Sequence, residues 1–376
     1  MATGPKLAAL SAWARLSALC CDRERPTEFT VPRLKVALVK QATYIDLYAT
    51  PGEKDPRRLL ASTWHRTGPL GLFQLFDTDY YLVNDADDPV SQIWRTKEAD
   101  WKQDSARWEH HRKIIATQTE TARSVESIDW SGYDLVIAIE NAVPPSLTRA
   151  YPAVLWATIL EHHRMPAYRT YHRAPPPGYD VFLTQLIGRN ALSWIRRPHA
   201  LEWPYSMTPP NLFAAWFPDV TRGAASYLEN HQDHASIAAQ AEQEGLAIST
   251  PERTDAEGLV AHAVGCRYFL APGAPRPIYG NAMVDAAAAG CLNLGNRWRL
   301  FNPGLILPEL HTPGIAATLR MVKELDNDPN RRERIVHRQR DRIDWLVVRR
   351  PLLQLFKAAR GSGRSLNLLR QALPAR

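Results

Sequence analysis

Residues 276–281 group the side chains best suited to hold a diphosphate. They include a cation, an aromatic ring, a glycine and an amide: Arg276, Tyr279, Gly280 and Asn281. A glycine lets a ligand approach the backbone closely, and free N–H groups at the start of a helix attract an anion. Asp285, about one helical turn further on, adds a carboxylate. The sequence therefore predicts a nucleotide diphosphate site here.

The residues that follow predict the elements that position this loop. Residues 282–289 are almost all small helix formers, which allow a helix to lie close to a sheet. Gly290 stands where a helix ends at positive φ, and residues 291–294 form a short apolar segment closed by Gly295. The expected order is loop, helix, tight turn and buried strand.

The segment from Gly280 to Cys291 resembles the donor-binding segment of GT-B glycosyltransferases. The resemblance implies a GT-B-like fold, a nucleotide-sugar donor and a ribose-binding role for Asp285. The sequence departs from the family pattern in having Asp instead of the usual Glu, and in having Arg276 and Pro277 where many retaining members place another acidic residue. The alternative is an ordinary α/β crossover with a small-residue helix.

Further donor contacts are expected from the start of the second half of the chain. Arg222 and Arg276, with the helix start after Tyr279, are suited to stabilise a leaving diphosphate without a metal. Asn230 and His231 follow a predicted strand and are expected at the same site. We therefore expect no cofactor and no divalent metal.

Candidate general bases lie in the first half, where apolar segments end in polar residues. Glu140 ends one such segment, and Glu161 and His162 end the next. Asp46 and His65 lie in other loops. A base must reach hydrogen-bonding distance of the acceptor hydroxyl, so we expect Glu161, Glu140 and His162 as catalytic candidates.

The alternation of apolar segments with helical ones predicts an α/β protein with two Rossmann-like, doubly wound parallel-sheet domains facing a cleft. The predicted organisation is listed in chain order: an N-terminal helix and linker over 1–30, an acceptor-side α/β domain over 31–205, a nucleotide-sugar-binding α/β domain over 206–330, and basic amphipathic helices over 331–376. A Pro-rich stretch marks the crossover between the two domains.

Composition limits the classes of partner. The chain has 376 residues, 45% of them hydrophobic, and no apolar run long enough to cross a bilayer. Residues 331–376 hold 13 Lys and Arg against 3 Asp and Glu, a local charge of +10, so residues 1–330 carry −3 of the net +7. The body is therefore not expected to bind nucleic acid. The four cysteines have neither the spacing of a zinc site nor that of a disulfide framework, which favours a location in the cytoplasm. The product that we expect is a cell-surface glycan or glycoconjugate.

Two interpretations of the C-terminal residues stay open. The helices either return to pack on the N-terminal domain or bind an anionic membrane surface at the inner membrane face. Pro351 is expected to break the helix into two segments.

Two other functions are compatible with the sequence. A metal-dependent GT-A transferase would use Asp77 with Asp79, or Asp85 with Asp87, to hold a divalent ion on the diphosphate. Residues 72–76 and 80–83 are predicted as strands around the first pair. A non-catalytic nucleotide- or glycan-binding module at the membrane is the other possibility.

Overall fold

A computed structural model describes the following residues: 30–41, 51–61, 70–83, 105–139, 143–159, 177–184, 200–203, 207–223, 226–228, 234–249, 256–272, 281–300 and 302–362. These residues form two compact units. The first unit holds the described residues up to 203 together with 351–362, and the second holds 207–350.

The first unit is built on a six-stranded sheet in which every pair of neighbouring strands is parallel. Its strands are β1 (Lys35–Gln41), β2 (Asp77–Val83), β3 (Leu135–Ile139), β4 (Leu155–Ile159), β5 (Val181–Thr184) and β6 (Ala200–Glu202). The strand order is β2-β1-β3-β4-β5-β6. Because β2 and β3 lie on opposite sides of β1, the strand order changes direction between β1 and β3.

Burial on both faces explains why these strands read as continuous apolar runs. All five residues of β3 are buried. One face carries a core in which Trp130 packs edge-on against Trp156 and Tyr81, at centroid distances of 5.6 Å each. The described α-helices of this unit that precede residue 204 are α1 (Pro56–Ala61), α2 (Leu70–Leu75), α3 (Ser105–Thr121) and α4 (Pro145–Ala150).

The predicted strand over residues 72–76 is wrong. These residues belong mainly to α2, whose buried residues are Leu70, Gly71 and Leu72. A short apolar run does not by its periodicity distinguish a strand from a buried helical turn. The predicted strand over 80–83 is confirmed as part of β2.

The second unit is built on a four-stranded parallel sheet in the order β10-β9-β7-β8. Its strands are β7 (Ser226–Leu228), β8 (Ile248–Ser249), β9 (Tyr268–Ala271) and β10 (Leu292–Gly295). The described α-helices of this unit are α5 (Leu212–Trp216), α6 (His234–Gln243), α7 (Ala256–Val264), α8 (Asn281–Ala288), α9 (Ile315–Asn327) and α10 (Pro329–Asp344). The predicted α/β class with two parallel sheets is confirmed.

The chain runs from α10 into α11 (Arg350–Ser362) through one π-helical turn over Trp345–Arg349. The predicted break at Pro351 is wrong, since the helical path continues through it. The Arg350 N–H bonds to the Trp345 carbonyl, five residues back. This wider turn precedes Pro351, which lacks an N–H and has a ring that crowds a regular α-helical turn.

The apolar side of α11 is buried in the first unit at Leu352, Leu355, Phe356 and Ala359, while Lys357 and Arg360 are exposed. The two interpretations of the C-terminal residues stay predictions. Within the described part of the chain, no helix combines the length and the apolarity that crossing a membrane requires.

Candidate functional site in the second unit

The strand order of the second sheet changes direction between β7 and β9, because β8 lies on the other side of β7. Open α/β sheets bind ligands outside the carboxyl ends of the strands at such a point. Here those ends are Leu228 and Ala271. The segments that follow them in the chain carry Asn230, His231 and Arg276, which lie outside the described residues together with Tyr279 and Gly280.

Helix α8 spans Asn281–Ala288, where the small-residue pattern predicts a helix, and it packs against β10. Ala286 and Ala288 on this helix are completely buried, so the helix backbone lies close to its neighbours. Asp285 is partly exposed, and its carbonyl accepts the Ala289 N–H at 2.8 Å. The helix ends at Gly290, whose φ of 86° is the left-handed value that glycine adopts easily.

Arg222 lies at the opposite end of this helix from the predicted diphosphate loop. Its guanidinium donates to the carbonyl oxygens of Ala289 and Gly290. A Cβ at Gly290 would collide with that guanidinium. Arg222 thus satisfies carbonyl groups that the end of α8 leaves free, at the amino edge of the sheet. This placement corrects the expectation that it contacts the leaving diphosphate.

A buried polar framework connects α10, β10 and the first turn of α8. The Gln339 side chain accepts the Asn293 N–H and donates to the Cys291 carbonyl, both at 2.8 Å. Asn293 Nδ2 donates to the Met283 carbonyl at 3.1 Å and to the Leu305 carbonyl at 3.2 Å. Gln339 therefore occupies the free edge of β10, and Asn293 ties that strand to α8.

The carboxyl end of β10 carries polar and aromatic groups that the sequence analysis did not select. The Trp298 ring lies edge-on to the His311 ring at 5.3 Å between centroids, and the buried Arg297 donates to the Pro303 carbonyl. Burial lowers the pKa of His311, against a hydrogen bond to the Gly295 carbonyl that raises it. The signal in the sequence is the polar run directly after the strand closed by Gly295.

The carboxyl edge of the first sheet places the ends of β1, β3 and β4 side by side. Glu140 directly follows β3, while Glu161 and His162 come two and three residues after Ile159, the last residue of β4. All three lie outside the described residues.

Lys40 is another residue that the sequence pattern did not single out. It is completely buried at the penultimate position of β1. Its Nζ donates to Gln118 Oε1 at 2.7 Å and lies 5.9 Å from the centroid of the Tyr80 ring. A lysine that continues an apolar strand was the available signal. A charged side chain survives such burial only with partners.

Asp77 and Asp79 are bound to an ammonium group in this structure. Lys54 Nζ lies 3.0 Å from Asp77 Oδ1 and 2.9 Å from Asp79 Oδ1. Tyr133 donates to Asp79 Oδ2 at 2.7 Å. Burial acts to raise the pKa of Asp79, but the hydrogen bonds from Lys54 and Tyr133 outweigh it and hold that pKa below its usual value.

The position of this pair also argues against the GT-A alternative. Asp77 is the first residue of β2, which pairs in parallel with β1 from Lys35 onward, so the pair lies at the amino edge of the sheet. Asp85 and Asp87 lie outside the described residues.

Comparison with known proteins gives likenesses in structure but none in sequence. No protein-family model and no curated protein matches the chain. The β-glucosyltransferase of T4 phage matches with a TM-score of 0.39 and 9% identity, covering 91% of this chain and 100% of that one. AviGT4, a glycosyltransferase involved in avilamycin A biosynthesis, matches with a TM-score of 0.35 and 13% identity, covering 82% and 98%.

UGT2 of Phytolacca americana, solved with UDP-2-fluoroglucose and pterostilbene, matches with a TM-score of 0.35 and 10% identity, covering 90% of this chain and 98% of that one. TM-scores and identities this low do not by themselves assign a fold, an activity or a site. The α/β architecture therefore rests on the strand order of the two sheets.

Proposed function

We propose that this chain is a glycosyltransferase of the GT-B type. It transfers a sugar from a nucleoside diphosphate sugar to a hydroxyl of a glycan or glycoconjugate, without a metal. The observation that carries the proposal is the strand order of the second sheet. The carboxyl ends of β7 and β9 lie side by side, and the segments that leave them carry the predicted donor-binding residues.

In this proposal α8 and the segment before it hold the donor. N–H groups of the first turn from Asn281 bind the diphosphate, assisted by Arg276 and Tyr279. Asp285, partly exposed on the same helix, binds the ribose. Asn230 and His231 contact a phosphate or a sugar hydroxyl. Arg222 has no part in the site because its guanidinium binds carbonyl groups at the other end of the helix.

The first unit supplies the general base in this proposal. Glu161, Glu140 and His162 follow neighbouring strands at the carboxyl edge of the first sheet. One of them accepts the proton of the acceptor hydroxyl as that oxygen attacks the anomeric carbon. The diphosphate leaves with the electron pair of the broken bond, stabilised by Arg276 and the helix N–H groups.

Donor binding is tested with Asp285→Ala. A nucleotide-sugar screen by thermal shift, with UDP-glucose as the first probe, identifies a ligand that stabilises the wild type. We expect Asp285→Ala to weaken binding at least about tenfold by calorimetry, which corresponds to about 1.4 kcal/mol. The matched control is Glu242→Ala, an exposed carboxylate on α6. Unchanged affinity in Asp285→Ala would remove the ribose assignment.

Turnover separates the proposed enzyme from a binding module. The purified protein is expected to hydrolyse its bound nucleotide sugar slowly in the absence of acceptor, with the same rate in excess EDTA. Binding without any turnover would favour a non-catalytic module. Loss of turnover in EDTA, restored by Mg²⁺ or Mn²⁺, would overturn the metal-independent mechanism.

The location proposed for this activity is the cytoplasm, with an anionic membrane surface as a partner of the basic C-terminal residues. Arg334, Lys357 and Arg360 are exposed. Deleting α11 would remove buried side chains, so charge substitutions are the cleaner test. Lys357→Gln with Arg360→Gln should weaken binding to anionic vesicles, and no effect relative to neutral vesicles would remove this partner.

A further inference from the structure

We propose that Asn293 and Gln339 are positioning residues for the nucleotide sugar, because together they fix the first turn of α8. This inference rests on the proposed function, since it concerns the same site. Both residues are polar at positions where the pattern of the neighbouring residues predicts apolar side chains. Asn293 lies between Leu292 and Leu294 on a fully buried strand, and Gln339 lies between Ile335 and Ile343 on the buried side of α10.

The framework has two linked parts. Gln339 holds the backbone of β10 through two bonds of 2.8 Å, to the N–H of Asn293 and the carbonyl of Cys291. Because β10 is an edge strand, these groups face away from β9 and would otherwise stay unpaired in the interior. The amide of Gln339 thus replaces a neighbouring strand and fixes the position of Asn293.

Asn293 then fixes the helix that begins the donor site. Its Nδ2 donates to the carbonyl of Met283, the third residue of α8, and to the carbonyl of Leu305 in the 3₁₀ turn Pro303–Leu305. Met283 belongs to the first helical turn, whose N–H groups are the proposed diphosphate ligands. Holding its carbonyl therefore sets where those N–H groups point.

The asparagine at this position carries a local cost in the core. Asn293 is completely buried, and its Oδ1 has no hydrogen-bond partner among the described residues. A buried acceptor without a donor is unfavourable. Leucine has nearly the same size and would remove that acceptor. Leucine would, however, also remove the donor to the carbonyls of Met283 and Leu305, so what the asparagine provides here is these two bonds, one of which holds the first turn of α8.

The test compares Asn293→Leu and Gln339→Met with Tyr268→Phe. The control loses a hydroxyl bonded to Asp326 at the start of β9, in the same unit but at the amino edge. We measure UDP-glucose affinity by calorimetry, urea unfolding, and hydrogen exchange of the amides of α8. We expect both framework variants to bind UDP-glucose at least about tenfold more weakly, with faster exchange in α8. Tyr268→Phe should lower stability with unchanged affinity and exchange in α8.

The outcomes separate this inference from the proposed function. If the wild type binds UDP-glucose and both framework variants bind it equally well, the positioning role is overturned while donor binding stands. If Tyr268→Phe weakens UDP-glucose binding as much as the framework variants do for the same loss of stability, the role of Asn293 and Gln339 is purely structural and the inference also fails. If the wild type binds neither UDP-glucose nor any nucleotide sugar of the screen, the proposed function fails and this inference fails with it.

Discussion

At the amino edge of the second sheet, Tyr268 donates to Asp326 at 2.7 Å, and the same carboxylate oxygen accepts from Arg332 at 3.0 Å. At the carboxyl edge, β7 and β9 lead into the segments that carry the candidate donor ligands. The first edge is an internally paired cluster, in which the Asp326 carboxylate also lies 3.6 Å from the Arg267 guanidinium. In the proposed function, the second edge presents the N–H groups of the first turn of α8 and the partly exposed Asp285 to the donor. Substitutions at the two edges should therefore separate stability from binding.

The first sheet has a similar cluster at its own amino edge. Tyr133 donates to Asp79, as Tyr268 does to Asp326, and Lys54 takes the place of Arg332. The Lys54 side chain is 52% exposed and Arg332 is 23% exposed. Since water screens an exposed pair more strongly, the cluster of the second sheet should contribute more to stability.

The largest stability effect is expected for Asp326→Ala. The substitution leaves Arg332 and the Tyr268 hydroxyl without their partly buried acceptor, which costs about 2–3 kcal/mol. Urea unfolding measures it, with Glu324→Ala as the control because Glu324 pairs with Arg331 at 3.7 Å and is 56% exposed. UDP-glucose affinity should not change. A loss no greater than the control, or weaker binding, would contradict the proposed division between the edges.

Local chemistry made the helix, the turn and the strand around Gly290 predictable from the sequence. Each depends on neighbouring residues: small helix formers, a glycine at positive φ and a short apolar run. The two parallel sheets followed from the same alternation. The continuation of the helix through Pro351 was not predictable from the sequence, because the π turn before it depends on how Trp345 and its neighbours are buried.

Long-range pairs account for what the sequence did not reveal. Asn293 and Gln339 are 46 positions apart, and Lys40 and Gln118 are 78 apart. Arg222 binds carbonyls about 67 positions further along the chain. None of these contacts has a spacing signal, since each arises only when separate elements pack. A polar residue inside an apolar strand, as at Asn293, was the available clue.

A smaller effect is expected at the amino edge of the first sheet. Lys54→Met removes the ammonium shared by Asp77 and Asp79 and should cost about 1 kcal/mol or less. Because the pair is exposed, high salt should reduce the difference from wild type. Arg112→Met is the control, since Arg112 pairs with Glu109 on the surface of α3. A larger loss than that of Asp326→Ala would reverse the ranking of the two clusters.

The smallest effect concerns pH, where the two units should respond in different ranges. Burial lowers the pKa of His262 and of His311 from 6.5, so the unfolded chain binds protons more readily. The contribution of the two neutral imidazole rings to stability is complete above pH 6.5. It is lost as the pH falls through the pKa values of the folded state. The folded pKa of Asp79 is also lowered, so the contribution of its carboxylate to stability is complete above pH 3.8 and is lost only below that pH.

Between these ranges, at about pH 5, acid should therefore weaken the second unit alone. Hydrogen exchange of β9 and β10 amides, compared with β1 and β3, measures each unit separately. Replacing His262 and His311 by Asn should flatten the response in β9 and β10, whereas replacing the exposed His337 should not. Arg297 lies close enough to His311 to oppose its protonation further, so Arg297→Met should narrow the pH range over which the second unit loses stability. Equal acid sensitivity of the two sheets would show that these histidines do not distinguish the units.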